Sequence, residues 1–266
     1  MLELVFVIVV LGILAKFGVD LFMQIYENYA RTTIASDLMS KSEAAIGEIA
    51  NRLNYRIKDS AIASTGAADV NFTSLTSADS DDNVFEWIGQ DNDGWDDGDY
   101  SGIIDLNHPA TTKSQLISPA TTSLPGQGAL LFMGSKVDVK NSFGWHGSAV
   151  NDLYEYNTTT SNVIPMKTPF TSGDEIFEFY QVAGSAYALV LDTTDAADHK
   201  LYFYKNYYPW SGQTYTDNNN ERFLLVDHVS TFNLQKAGDI IRIELCLSSN
   251  NYMGEDYSIC KTKIVF

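Results

Sequence analysis

Five aspartates fall within nine positions of the stretch "DNDGWDDGDYSG", residues 91–102: Asp91, Asp93, Asp96, Asp97 and Asp99, with Gly94 and Gly98 among them. Hard cations take several oxygen ligands from loops of this kind, which makes the run a candidate Ca²⁺ site. Its spacing departs from the EF-hand. With Gly98 at the turn glycine, Asp93 and Asp97 fall on ligand positions, but Trp95 and Ile104 stand where two other ligands belong. A solvated acidic loop is the better-supported reading.

Three further groups of residues could carry chemistry. Cys246 and Cys260 bracket a polar connection between two strand-like runs, so a disulfide is sterically plausible. Closing such a loop stabilises a fold by about 3 kcal/mol and implies an oxidising compartment. Asn71 ("DVNFT") and Asn157 ("EYNTT") are the Asn-x-Ser/Thr sequons, and each has an acid two residues upstream. That is the pattern certain bacterial oligosaccharyltransferases require, so both are candidate glycosylation sites, with ordinary polar loops as the alternative. His108, His146, His199 and His228 are scattered, and no HExxH, GxSxG, CxxC or phosphate-binding loop accompanies them. Asp198 beside His199 and Asp227 beside His228 would face opposite ways on a strand. No active site is expected, and no cofactor beyond a possible Ca²⁺.

The formal charge of −17 leaves no Lys/Arg cluster to hold a phosphate backbone, which excludes a nucleic-acid binder. Hydrophobic residues make up 45% of the chain, enough for a real core in 266 residues.

The elements that must position these residues fall into two parts. Residues 4–15 are uninterruptedly apolar, and Glu3 stands at their head. Extended to Ile25, the segment is long enough to span a bilayer, interrupted by Lys16, Asp20 and Gln24. Lys16 and Asp20 are four apart and can pair on a helix. A secretory signal fits poorly, because the segment begins with an acid and has no small-residue cleavage site. From Gln24 to about Ile57 there is no proline, and Ile34, Leu38, Ile46, Ile49, Leu53 and Ile57 recur at three, four or eight. That is one face of a helix. The pattern predicts one helix of roughly 55 residues, about 80 Å long, apolar in its first half (1–25) and amphipathic in its second (26–59). Part of so long a helix must be buried in a membrane or in other copies of the chain.

Residues 60–266 read as a single β-rich head. Expected strands lie at 84–88, 129–133, 175–182, 187–192, 200–204, 223–227, 230–234, 239–247 and 261–266, with turns at "AGS" and "KAGD". The aromatic run "LYFYKNYYPW", residues 201–210, reads as strand and sheet packing rather than a ligand platform. The fold class is α+β, with a C-terminal antiparallel sheet packed on the long helix.

The opening "ELVFVIVVLGILA" resembles the N-terminal signature of type IV pilins and type II secretion pseudopilins. Glu3 matches the family glutamate and Gly12 the glycine of its helix. The match covers about the first 25 residues, and the long-helix layout extends it to about 60. The stretch "VDHVSTFNLQKAGDIIRIELCL" weakly resembles the C-terminal sheet of larger minor pilins. The family glutamate lies fifth from the mature N-terminus; here it is third with no basic leader, which reads as a trimmed or internally started chain. The proline common in the family's helix is absent, with Gly18 and Asp20 in that region.

The resemblance implies a structural subunit of an extracellular type IV filament. Glu3 of one subunit would meet a neighbour's N-terminal amine, setting register more surely than adding stability. Gly12, Lys16 and Asp20 would belong to the same assembly surface. The implied partners are identical and related pilin subunits, the inner membrane before assembly, and the assembly machinery. A minor tip pseudopilin of a type II secretion system and a membrane-anchored surface-binding protein are the alternatives.

Overall fold

The computed structural model describes residues 2–79, 81–217, 221–249 and 257–266. It is an α+β fold in which one helix, α1 (Leu2–Asn54, 53 residues), leads into a β-rich body. No proline interrupts the helix, and its three glycines, each about 1 kcal/mol less favourable than alanine, do not break it. It ends at Asn54, short of the expected 59, because Arg56 closes the last turn. The buried guanidinium donates to the carbonyls of Leu53 (2.8 Å), Asp239 (3.0 Å) and Phe266 (3.4 Å). It thereby satisfies a helix-end acceptor and ties it to the C-terminal strands. The next residues hook onto the sheet at once: Gln90 N–H donates to Tyr55 O and Ile57 N–H to Ile88 O.

The strands are β1 (Ile62–Ser64), β2 (Thr73–Ser74), β3 (Val84–Gln90), β4 (Gln115–Ile117), β5 (Ala129–Phe132), β6 (Leu153–Glu155) and β7 (Val163–Pro165). They continue with β8 (Tyr180–Asp192), β9 (Lys200–Tyr207), β10 (Arg222–Val226), β11 (Val229–Ala237), β12 (Ile240–Ser248) and β13 (Ser258–Val265). A short helix, α2 (Asn92–Asp96), follows β3. The main sheet runs β10-β9-β8-β3-β1-β2, with β5 and β6 added beside β8. A separate antiparallel sheet is formed by β11-β12-β13, and β4 pairs with β7.

The second half of α1 lies between the two larger sheets. Leu38, Ile46, Ile49 and Leu53 share a core with Phe85, Trp87 and Phe203 of the main sheet and with Leu234, Ile243 and Val265 of the C-terminal one. On β12 the inward residues Ile241, Ile243, Leu245 and Leu247 alternate with outward ones, as a half-buried strand requires. The helix is therefore part of the head's core and not a stalk beneath it.

Two expectations need correction. "AGS", residues 183–185, is not a turn. It lies inside the 13-residue β8, whose one edge serves β5 and then β3, with Gly184 unopposed in a bulge. The short strands β1, β2, β4, β6 and β7 were not expected at all. "KAGD" does turn, with Gly238 at φ 63° linking β11 to β12.

Leu53 has no exposed surface and belongs to the core that the helix shares with both sheets. Leu53→Ala is expected to cost about 3 kcal/mol, measured by equilibrium unfolding of the detergent-solubilised chain. A loss under about 1 kcal/mol would contradict this core.

Candidate functional site

Every residue from 5 to 29 is exposed, including Phe6, Phe17 and Phe22 at about 70%. Apolar surface costs roughly 25 cal/mol per Å² in water, so a helix apolar all round needs surroundings that the head does not supply. By length and composition this helix can cross a membrane. Glu3 stands exposed in its first turn, where the helix dipole favours a carboxylate. Lys16 and Asp20 are both exposed, and no ion pair joins them in the described chain. A Cβ added at Gly12 or Gly18 would meet nothing within 4 Å, so the chain's own packing does not call for glycine there.

The anchor begins near Ile34, the first large apolar side chain packed on the core. Polar contacts flank it. Lys261 pairs with Glu43 at 2.9 Å, Lys41 with Asp227 at 3.4 Å, and the Arg31 guanidinium lies 5.8 Å from the Tyr257 ring centre.

The acidic run does not gather into a metal centre. Asp91 caps α2 by accepting from Gly94 N–H, Asn92 donates to Asp96 at 2.9 Å, and Tyr100 donates to the Asp91 carbonyl. Burial, reinforced by the charges of Asp93 and Asp99, raises the Asp91 pKa against the pull of the Gly94 N–H. Among the described residues no three His, Cys, Asp or Glu side chains converge to hold a metal ion. The short helix spreads Asp93, Asp96, Asp97 and Asp99 instead of turning them inward.

Cys246 and Cys260 form a disulfide between directly opposed positions of β12 and β13, with Cα atoms 4.0 Å apart. Residues 250–256, within their connection, lie outside the described residues. Asn71 and Asn157 are both exposed, yet their upstream acids are engaged locally. Asp69 accepts from Asn71 N–H (2.8 Å), and Glu155 pairs with Lys167. Thr159, which completes the second sequon, is buried and donates to Val163 O (2.6 Å).

The aromatic run packs mainly inward. Leu201, Phe203, Tyr204, Tyr207 and Trp210 are buried, while Tyr202 stacks under Arg222 at 3.7 Å. His228 overturns the expectation that it would face away from Asp227. At φ 58° it lies in the turn between β10 and β11, with Nδ1 3.3 Å from Asp227 and 3.5 Å from Asp198.

One polar cluster escaped the sequence. Glu86 on β3 is buried; its Oε1 meets His146 Nε2 at 2.6 Å, and its Oε2 accepts from the Tyr207 hydroxyl at 2.7 Å. His146 Nδ1 lies 2.6 Å from the Asp69 carbonyl, and its ring meets Phe72 edge-on. Both ring nitrogens therefore face acceptors, as in an imidazolium. Burial opposes that charge most strongly, but the Glu86 hydrogen bond and charge, with Asp69, outweigh it and raise the His146 pKa. The two side chains have almost no exposed surface, so this is an internal brace that holds the 145–147 turn against the sheet.

A histidine whose pKa is higher folded than unfolded contributes stability that is complete below about pH 6.5 and is lost as pH rises through the folded value. Unfolding of the detergent-solubilised chain should show stability falling above that point. Glu86→Gln should remove this slope and cost about 3–5 kcal/mol below it. A flat profile in the unmodified protein would contradict the charged pair.

Comparison with protein-family models, with curated proteins and with solved structures returned no match for this chain.

Proposed function

We propose that the chain is a structural subunit of an extracellular filament of the type IV pilin kind. The observation that carries this reading is one continuous helix serving two environments. Its second half is built into the head's core, and its first half is exposed, apolar all round, and headed by Glu3. Before assembly the membrane would cover that half; afterwards, the helices of identical and related subunits would. Gly12, bare of neighbours, would allow a second helix to approach closely.

Burying Glu3 among apolar helices is costly unless it is paired, and a neighbouring subunit's N-terminal amine is the complementary group. Such a pair would punish misregistered packing more than it rewards correct packing. Assembly machinery would supply the transfer from membrane to filament. The disulfide fits a head that matures in an oxidising compartment. The exposed Asn71 and Asn157 would carry glycans on the filament surface. The assembled subunit's mass should then exceed the polypeptide's at both peptides, and unmodified peptides would remove that part of the proposal.

Glu3→Ala is the direct test in cells that make the filament. The variant should stay in the membrane fraction while sheared filaments fall at least about tenfold. Normal filament yield would sink the assembly role. Loss of the variant from the membrane would show that Glu3 serves insertion instead.

A further inference from the structure

Where α1 ends, the main sheet is broken on both sides of β8. The β3–β8 ladder shifts between Gly89 and Gln90 and leaves Gly184 unopposed. The β8–β9 ladder shifts between Ala186 and Tyr187 and leaves Asn206 unopposed, at φ 63°. Bulges re-aim side chains, and a non-glycine residue held at positive φ stores strain that the surrounding fold must sustain. Both inserted residues line one groove of about 690 Å³, walled by the end of α1, the start of α2 and the loop before β5.

The walls are stiff where they need to be. A Cβ at Gly89 would come within 2.5 Å of the Tyr187 ring, which is stacked on Phe203 at an interplanar angle of 15°. Arg52 lies 5.8 Å from the same ring's centre and is held by Glu48 at 2.9 Å. Tyr55, 53% exposed, and the half-buried Tyr208 offer more open rings. The side-chain amides of Asn51, on α1, and Gln127, before β5, have no hydrogen bond among the described residues.

The lining chemistry selects the occupant. Among the described residues three carboxylates, Glu48, Asp91 and Asp93, face one cation, Arg52, that is already paired, so phosphates and other anions are repelled. Five side-chain amides and three phenols among the described residues line the groove, the Asn92 amide already donating to Asp96. Amides grip neighbouring hydroxyls through paired donors and acceptors, and aromatic faces pack on the C–H face of a pyranose ring. The volume lies within the range of small-ligand sites and exceeds a single sugar ring.

We propose that this groove binds a neutral oligosaccharide, a role that goes beyond the filament reading and does not depend on it. The test uses the detergent-solubilised full chain on an array of neutral, sialylated and sulfated oligosaccharides, with a Lys/Arg-rich peptide as a separate probe. Neutral glycans should bind, and Tyr55→Ala and Gln127→Ala, both at exposed positions, should each weaken binding by about tenfold with an unchanged Tm. Glu3→Ala should bind as well as the unmodified chain, which separates this result from any failure of assembly. Binding only to anionic glycans or to the basic peptide, no binding to any neutral glycan, or affinity that survives both groove variants would overturn the proposal.

Discussion

The fold rests on the burial of the second half of α1 against two sheets, which also touch directly where Phe85 meets Phe232. Leu38, Ile46, Ile49 and Leu53 fill a layer that the main sheet covers from one side and β11-β12-β13 from the other. Neither sheet could leave that face exposed, and the helix alone could not hold a fixed conformation in water. Arg56 finishes the joint, because a single buried guanidinium gathers carbonyls from the helix end, the β11–β12 turn and Phe266. Burial lowers its pKa, and the nearby Asp239 and Asp59 oppose that. A rigid joint of this kind fixes the direction in which the free half of the helix leaves the head.

Around that joint the head uses polar groups as braces. Glu86, His146 and Tyr207 satisfy one another in the interior, near Trp145 and Phe143, so that burying charge there leaves no orphaned atom on the carboxylate. Ser118, Thr121 and the Tyr180 hydroxyl form a comparable hydroxyl cluster beside the buried Tyr100, Leu116 and Phe132.

The parts of the structure that were legible in the sequence carry a period. The helix announced itself through residues repeating at three and four with no proline, and β11 to β13 through alternation around a Gly-Asp turn. The disulfide was legible from its polar connection. Strands of two to four residues, such as β2 and β6, hold no full period and could not be read. Gly184 was misread for a physical reason: glycine marks a turn and a bulge equally well, and only the partner strand decides. The Glu86 cluster was invisible because its members lie 60 and 121 residues apart, joined only by the folded sheets. The groove depends in the same way on two ladder shifts that no local pattern encodes. The acidic run was the opposite case, conspicuous in sequence but dispersed by the short helix it forms.

The contact between Lys261 and Glu43 spans 218 residues of chain. The helix is made before the strands that cover it, and β13 emerges only after nearly all of the described head. During synthesis the apolar stripe of α1 can meet Phe85 and Trp87 once β3 has emerged, but its contacts with β12 and β13 wait for the last strands. Closing so long a loop is entropically slow, which raises the contact order and delays the last step of folding. A chain arranged in this way completes its N-terminal helix long before its head can acquire a native shape. The order of synthesis thus separates the making of the helix from the making of the core that holds its second half.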